Sequence, residues 1–66
     1  MSYLVIEKTA DGLILHNKET AELALSLWYA LDGEVQAIMN ENRHEITLMD
    51  LRVAAEQEKL FKARNP

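Results

Sequence analysis

The sequence predicts an α+β fold: an N-terminal β-hairpin followed by a long amphipathic helix and a C-terminal helix, assembled as a dimer. Three observations lead there. Asp11-Gly12 lies between two runs of strand formers, apolar residues recur at helical spacing from Ala21 to Met39, and Thr47-Leu48-Met49-Asp50 has the form of a helix-starting box. Each of these elements is apolar on two sides. A chain of 66 residues has one small core and cannot bury two faces of everything within itself. The surplus points toward a second copy or another protein.

The hairpin is expected over residues 3–17. Tyr3-Leu4-Val5-Ile6 and Leu13-Ile14-Leu15 are strand formers, and Asp-Gly between such runs is a strong hairpin signal. With Gly12 in the left-handed position of a three-residue loop, Thr9 falls opposite Leu13, Glu7 opposite Leu15 and Ile6 opposite His16. One face then carries Tyr3, Val5, Leu13 and Leu15, and the other Leu4, Ile6 and Ile14. A two-residue loop changes the pairs but leaves both faces apolar.

A single helix is expected over residues 18–41, starting at Asn17 or Lys18, with Glu19 and Glu22 at its positive end. Plotted at about 100° per residue, Ala21, Leu23, Ala24, Leu27, Trp28, Leu31, Val35, Ile38 and Met39 share one arc. The arc keeps its phase through Gly33, although glycine costs about 1 kcal/mol there relative to alanine and leaves room for a kink. Trp28, in mid-arc, is the expected anchor for the hairpin. On the back, Ser26, Ala30, Gly33 and Ala37 line up at spacings of four, three and four, a row of small side chains suited to close approach by a second copy.

Asn40 to His44 reads as a polar connection, with a short extended piece at Glu45-Ile46. A helix over residues 48–63 follows, opened by the Thr47 hydroxyl and the Asp50 carboxylate. Leu48, Leu51, Ala54, Ala55 and Phe61 flank one side of it. Met49, Val53 and Leu60 form a separate ridge, a second candidate for self-association. The whole is read as one small domain over residues 1–66.

The residues do not compose a reactive centre. His16 and His44 are the two imidazoles and belong to different elements, and Glu41, His44 and Glu45 alone are weak support for a metal. None of the hydroxyls stands on a turn beside an activating histidine, and two glycines make no phosphate loop. No catalysis, cofactor or metal is expected. With no cysteine, no secretory signal pattern and no apolar run of membrane-crossing length, the expectation is a cytoplasmic protein.

Charge is uneven. Residues 1–42 carry two basic and seven acidic side chains, net −5, while residues 43–66 are net +1. That balance disfavours nucleic acid, which calls for a basic footprint. A helix-turn-helix reading through Asp32-Gly33 would present Glu34, Gln36, Asn40 and Glu41 to phosphates that repel carboxylates. The function expected first is therefore a small interaction or regulatory protein, an inhibitor or adaptor of a larger partner with a basic surface. Small accessory proteins of bacteria and phages commonly have this make-up. Its contact residues are Glu19, Glu22, Leu25, Tyr29, Asp32 and Gln36, an acidic face centred on an exposed tyrosine. The alternative is a dimeric nucleic-acid-binding regulator using Arg43, Arg52, Lys59, Lys62 and Arg64. A binder of small ligands between helix and sheet is a third, weaker reading.

Overall fold

In the computed structural model, which describes residues 2–31 and 34–64, six elements follow in the order ββαββα. They are β1 (Tyr3–Thr9), β2 (Gly12–Lys18), α1 (Ala21–Ala30), β3 (Glu34–Met39), β4 (Glu45–Ile46) and α2 (Leu48–Arg64). The strands form one antiparallel sheet in the order β2-β1-β3-β4. Since β2 and β3 both run against β1, they are parallel to each other, and α1 carries the chain across β1 between them. The α+β class and the hairpin are as the sequence predicts.

The long helix over 18–41 is not what forms. β2 continues to Lys18, and Thr20 is the N-cap of α1, its hydroxyl accepting from the Leu23 amide at 3.1 Å. The helix ends at Ala30, with Leu31 already extended at φ −74°, ψ 131°. Residues 34–39 then pair with β1 as a strand. Their apolar positions fit a helical arc by phase, but Val35 and Ile38 are β-branched and the stretch is short enough to satisfy both periods. Pairing with the free side of β1 decides between them, because it satisfies main-chain groups that an extended helix would leave unpaired. The bend considered at Asp32-Gly33 lies outside the described residues.

The hairpin register also differs from the expected one. The loop has two residues, Ala10 and Asp11, so Thr9 pairs with Gly12, Glu7 with Ile14, Ile6 with Leu15 and Val5 with His16. Gly12 has φ 129°, where a side chain is disfavoured. Thr9 steadies the turn, its hydroxyl donating to the Gly12 carbonyl at 3.0 Å and accepting from the Asp11 amide at 3.3 Å. Residues directly opposite share a face. Leu13 and Leu15 therefore lie with Leu4 and Ile6, not with Tyr3 and Val5 as expected. The helix-facing side holds Tyr3, Val5, Ile14 and the pair Glu7–His16, whose carboxylate and Nε2 are 3.0 Å apart.

A bulge sets what β3 contributes. Ile6 pairs with Ala37 but Glu7 with Val35, so Gln36 is an extra residue on β3. Without it Val35 would share the outer face with Ala37 and Met39. With it, Val35 joins Ile38 on the side of the core, where both pack. The turn from β3 to β4 is closed by Asn40, whose side-chain oxygen accepts from the Asn42 and His44 amides at 3.0 Å each. Arg43 within it has φ 63°.

Both helices cover the same face of the sheet. The buried core residues are Tyr3, Val5, Ala21, Ala24, Ile38, Leu51 and Ala55, with Leu25, Leu27, Trp28, Leu31, Val35, Ile46 and Ala54 packed around them. Three of the seven are alanines, so α1 and α2 approach closely and Leu51 and Val5 are the largest wholly buried side chains. Trp28 packs against the core cluster that includes Tyr3 and Val5 of the hairpin, and it also lines a cavity with Val35, Ile38, Ile46 and Leu48. The predicted box at α2 forms reciprocally: the Asp50 amide donates to the Thr47 hydroxyl at 3.1 Å, and the Thr47 amide to Asp50 Oδ2 at 3.0 Å.

One long-range contact ties the helices. The Glu58 carboxylate of α2 accepts from the Ala21 amide at 2.6 Å and the Glu22 amide at 3.0 Å, capping the first turn of α1 from outside. It also places a negative charge at that helix's positive end. Glu58→Ala is expected to cost about 1–2 kcal/mol, read as a lower urea midpoint with an unchanged slope, while Glu58→Gln retains part of the loss.

Candidate interaction surfaces

Three surfaces collect the residues that the fold leaves over. The first is a groove of about 350 Å³ between the helices, lined by Glu22, Leu25, Ser26 and Tyr29 of α1 and Arg52, Ala55, Glu56 and Lys59 of α2. At its end Tyr29 is 57% exposed yet held on two sides. Arg52 Nε donates to its hydroxyl at 3.0 Å, with the guanidinium 5.9 Å from the ring centre. The Trp28 ring meets it edge to face, with ring centres 5.3 Å apart.

The expected contact residues are only partly brought together here. Glu22, Leu25 and Tyr29 share the groove, whereas Gln36 lies on β3 and lines the other cavity that Tyr29 borders, about 420 Å³ in volume. Glu19 is exposed just ahead of α1, and Asp32 lies outside the described residues. The face is less acidic than a single helix would make it. Lys62 Nζ stands 3.5 Å from Glu22 Oε2, and Arg52 and Lys59 line the groove. The residues the sequence reading missed are these α2 partners, since no spacing within α1 points to them.

The second surface is the outer side of the sheet, which neither helix covers. Leu4, Ile6, Leu13, Leu15, Ala37 and Met39 share it with the polar Lys8, Asn17, Glu34 and Glu45, and Leu13 and Leu15 are 57% and 59% exposed. It ends in the edge strand β2. The third is the ridge on α2, where Met49, Val53 and Leu60 are all exposed as expected. The small-residue row does not survive as one stripe. Ser26 and Ala30 are exposed on α1, Ala37 sits on β3, and Gly33 lies outside the described residues.

A further cavity of about 460 Å³ is lined by Tyr3, Thr20, Glu41, Ala54, Gln57, Glu58, Phe61 and Lys62. Among the described residues, no group of three or more His, Asp or Glu is arranged to hold a metal ion, and Glu41, His44 and Glu45 are all exposed. No described helix is long and apolar enough to cross a membrane. No family model, curated protein or solved structure matches the chain.

Burial raises the Tyr3 phenol above its ordinary 10.0, with the negative charges of Glu41 and then Glu58 adding to the effect. The unfolded chain begins to release that proton near pH 10, and the folded chain only at higher pH. Folding stability from this group is therefore whole below pH 10 and declines as pH rises through the folded value. Urea midpoints between about pH 9 and 11 should fall less steeply for Tyr3→Phe than for the parent protein.

Proposed function

We propose that the protein is a small non-enzymatic interaction protein, a regulator or adaptor of a larger cytoplasmic partner, and that it acts as a homodimer. Tyr29 carries this reading. An exposed tyrosine at the end of a groove, already oriented by Arg52 and Trp28, forfeits little side-chain freedom when a partner covers it. Tyrosine and arginine are also the side chains that most often dominate interface energies. Glu22 and Glu56 in the groove, with Glu19 ahead of it and a net charge of −4, favour a partner with a basic surface. Dimerisation is supported by the uncovered outer face of the sheet and the exposed α2 ridge. Regulation through nucleic acid gains no support from the geometry, because Lys62 faces Glu22 and Arg52 engages Tyr29.

Immobilised protein should retain a specific partner from lysate, and Tyr29→Ala should weaken that capture roughly thirtyfold, as for an interface residue worth about 2 kcal/mol. Glu22→Lys should weaken it for a basic partner as well. Retention of the same partner by both variants at parental affinity would remove this groove from the function.

A further inference from the structure

Resting on the homodimer reading above, we propose that the second copy joins at the edge of β2, antiparallel to its own β2, about a twofold axis through Ile14. Four observations converge on this strand. β2 is seven residues long, pairs with β1 without interruption and contains no proline, and its one fully charged residue, Lys18, stands at its end. Those are the features whose absence protects natural edge strands. The opposite edge of the sheet, β4, has two residues and leads directly into α2. On that side β4 pairs only with Ile38 and Met39, and residues 34–37 of β3 beyond it are interrupted by the bulge, so β2 is the longer and more regular edge, and a pair of copies meeting through it forms a closed assembly.

The alternation of the ladder fixes which groups are free. Counted from the closing pair Thr9–Gly12, the main-chain groups of Ile14 and His16 turn toward β1, and those of Leu13, Leu15 and Asn17 turn outward. The register must keep side chains on matching faces, so that in each copy Leu13 and Leu15 stay on the outer side. Centring the axis on Ile14 does this. Leu13 of each copy meets Leu15 of the other through outward main-chain groups, and the two Ile14 side chains meet as a non-hydrogen-bonded pair, the closer of the two spacings. Ile14 is 46% exposed on the helix side, so the covering layer leaves this position open.

Charge selects this register over its neighbour. Centred on Ile14, the ladder sets Asp11 of each loop opposite the neutral Asn17 of the other copy. Centred on Leu15, it sets Asp11 opposite Glu19, and like charges facing each other destabilise a ladder. The Ile14-centred dimer has an eight-stranded sheet with all four helices on one side, and it joins the Leu13 and Leu15 side chains of the two copies on the outer face.

Light scattering on a sizing column across a hundredfold dilution should give twice the chain mass for the parent protein. Ile14→Lys and Ile14→Glu should each run as folded monomers, because the axis sets like charges against each other. Mixed in equal amounts, they should regain the dimer mass, since lysine then meets glutamate. The chain has no cysteine, so Ile14→Cys adds a single thiol, which should cross-link under mild oxidation at least tenfold faster than the thiol of Asn17→Cys. A monomeric parent protein at every concentration overturns the proposal and the homodimer reading together. A dimer that persists in both charged variants, or equal cross-linking at positions 14 and 17, overturns the β2 contact and leaves the homodimer reading standing with another surface.

Discussion

Main-chain pairing on the second side of β1 is the constraint from which the architecture follows. A two-stranded hairpin is barely stable alone and leaves one side of each strand open. β1 resolves this by taking β3 on its free side, placing itself at the centre of the sheet. For β3 to reach that position α1 must stop at Ala30, after ten residues, and the chain must cross the sheet. The helix is consequently short, and a short helix is weak in water on its own.

Capping from elsewhere in the chain compensates for that weakness. Thr20 supplies the local cap, while Glu58, thirty-seven positions beyond Ala21, supplies a second acceptor from the middle of α2. The same contact fixes how far α2 lies along α1, which in turn seats Ala55 and Leu51 among the alanines of the core. With so many small residues inside, the core offers modest hydrophobic stabilisation. The hydrogen bonds at the helix ends and within the two turns therefore account for a larger share of the fold's specificity than in a bigger domain.

What was legible in the sequence was local. The hairpin, the Thr47–Asp50 box and the exposed Met49, Val53 and Leu60 ridge all rest on residues within a few positions of one another. The misread segment, 34–39, depends on a partner strand thirty residues earlier, and its apolar phase was compatible with either structure. The polar connection over residues 40–44 and the extended Glu45-Ile46 beside it were legible, but the left-handed turn position is filled by Arg43, where a glycine or asparagine would have marked a tight hairpin. The hairpin loop failed by one residue for a related reason: Asp-Gly marks a turn without counting its length. That one residue moved Leu13 and Leu15 from the face of Tyr3 and Val5 to that of Leu4 and Ile6. Of the contact face, Tyr29 and Glu22 were legible as exposed helix positions, but Arg52, Glu56 and Lys59 arrive from α2 through tertiary packing.

The placement of the two proposed contact surfaces bears on how they would work together. β2 is one edge of the sheet, and Tyr29 stands at the far end of α1, bordering a cavity lined by β3 and β4. A second copy at β2 thus leaves the Tyr29 groove open on both chains, and the two grooves lie on the same side of the joined sheet. Such a dimer offers paired sites to a partner that is itself repeated or symmetric. The second engagement is then intramolecular, and modest affinity per groove becomes strong retention overall. For a groove of mixed charge anchored on Tyr29, doubling the site is a more accessible route to tight binding than enlarging it.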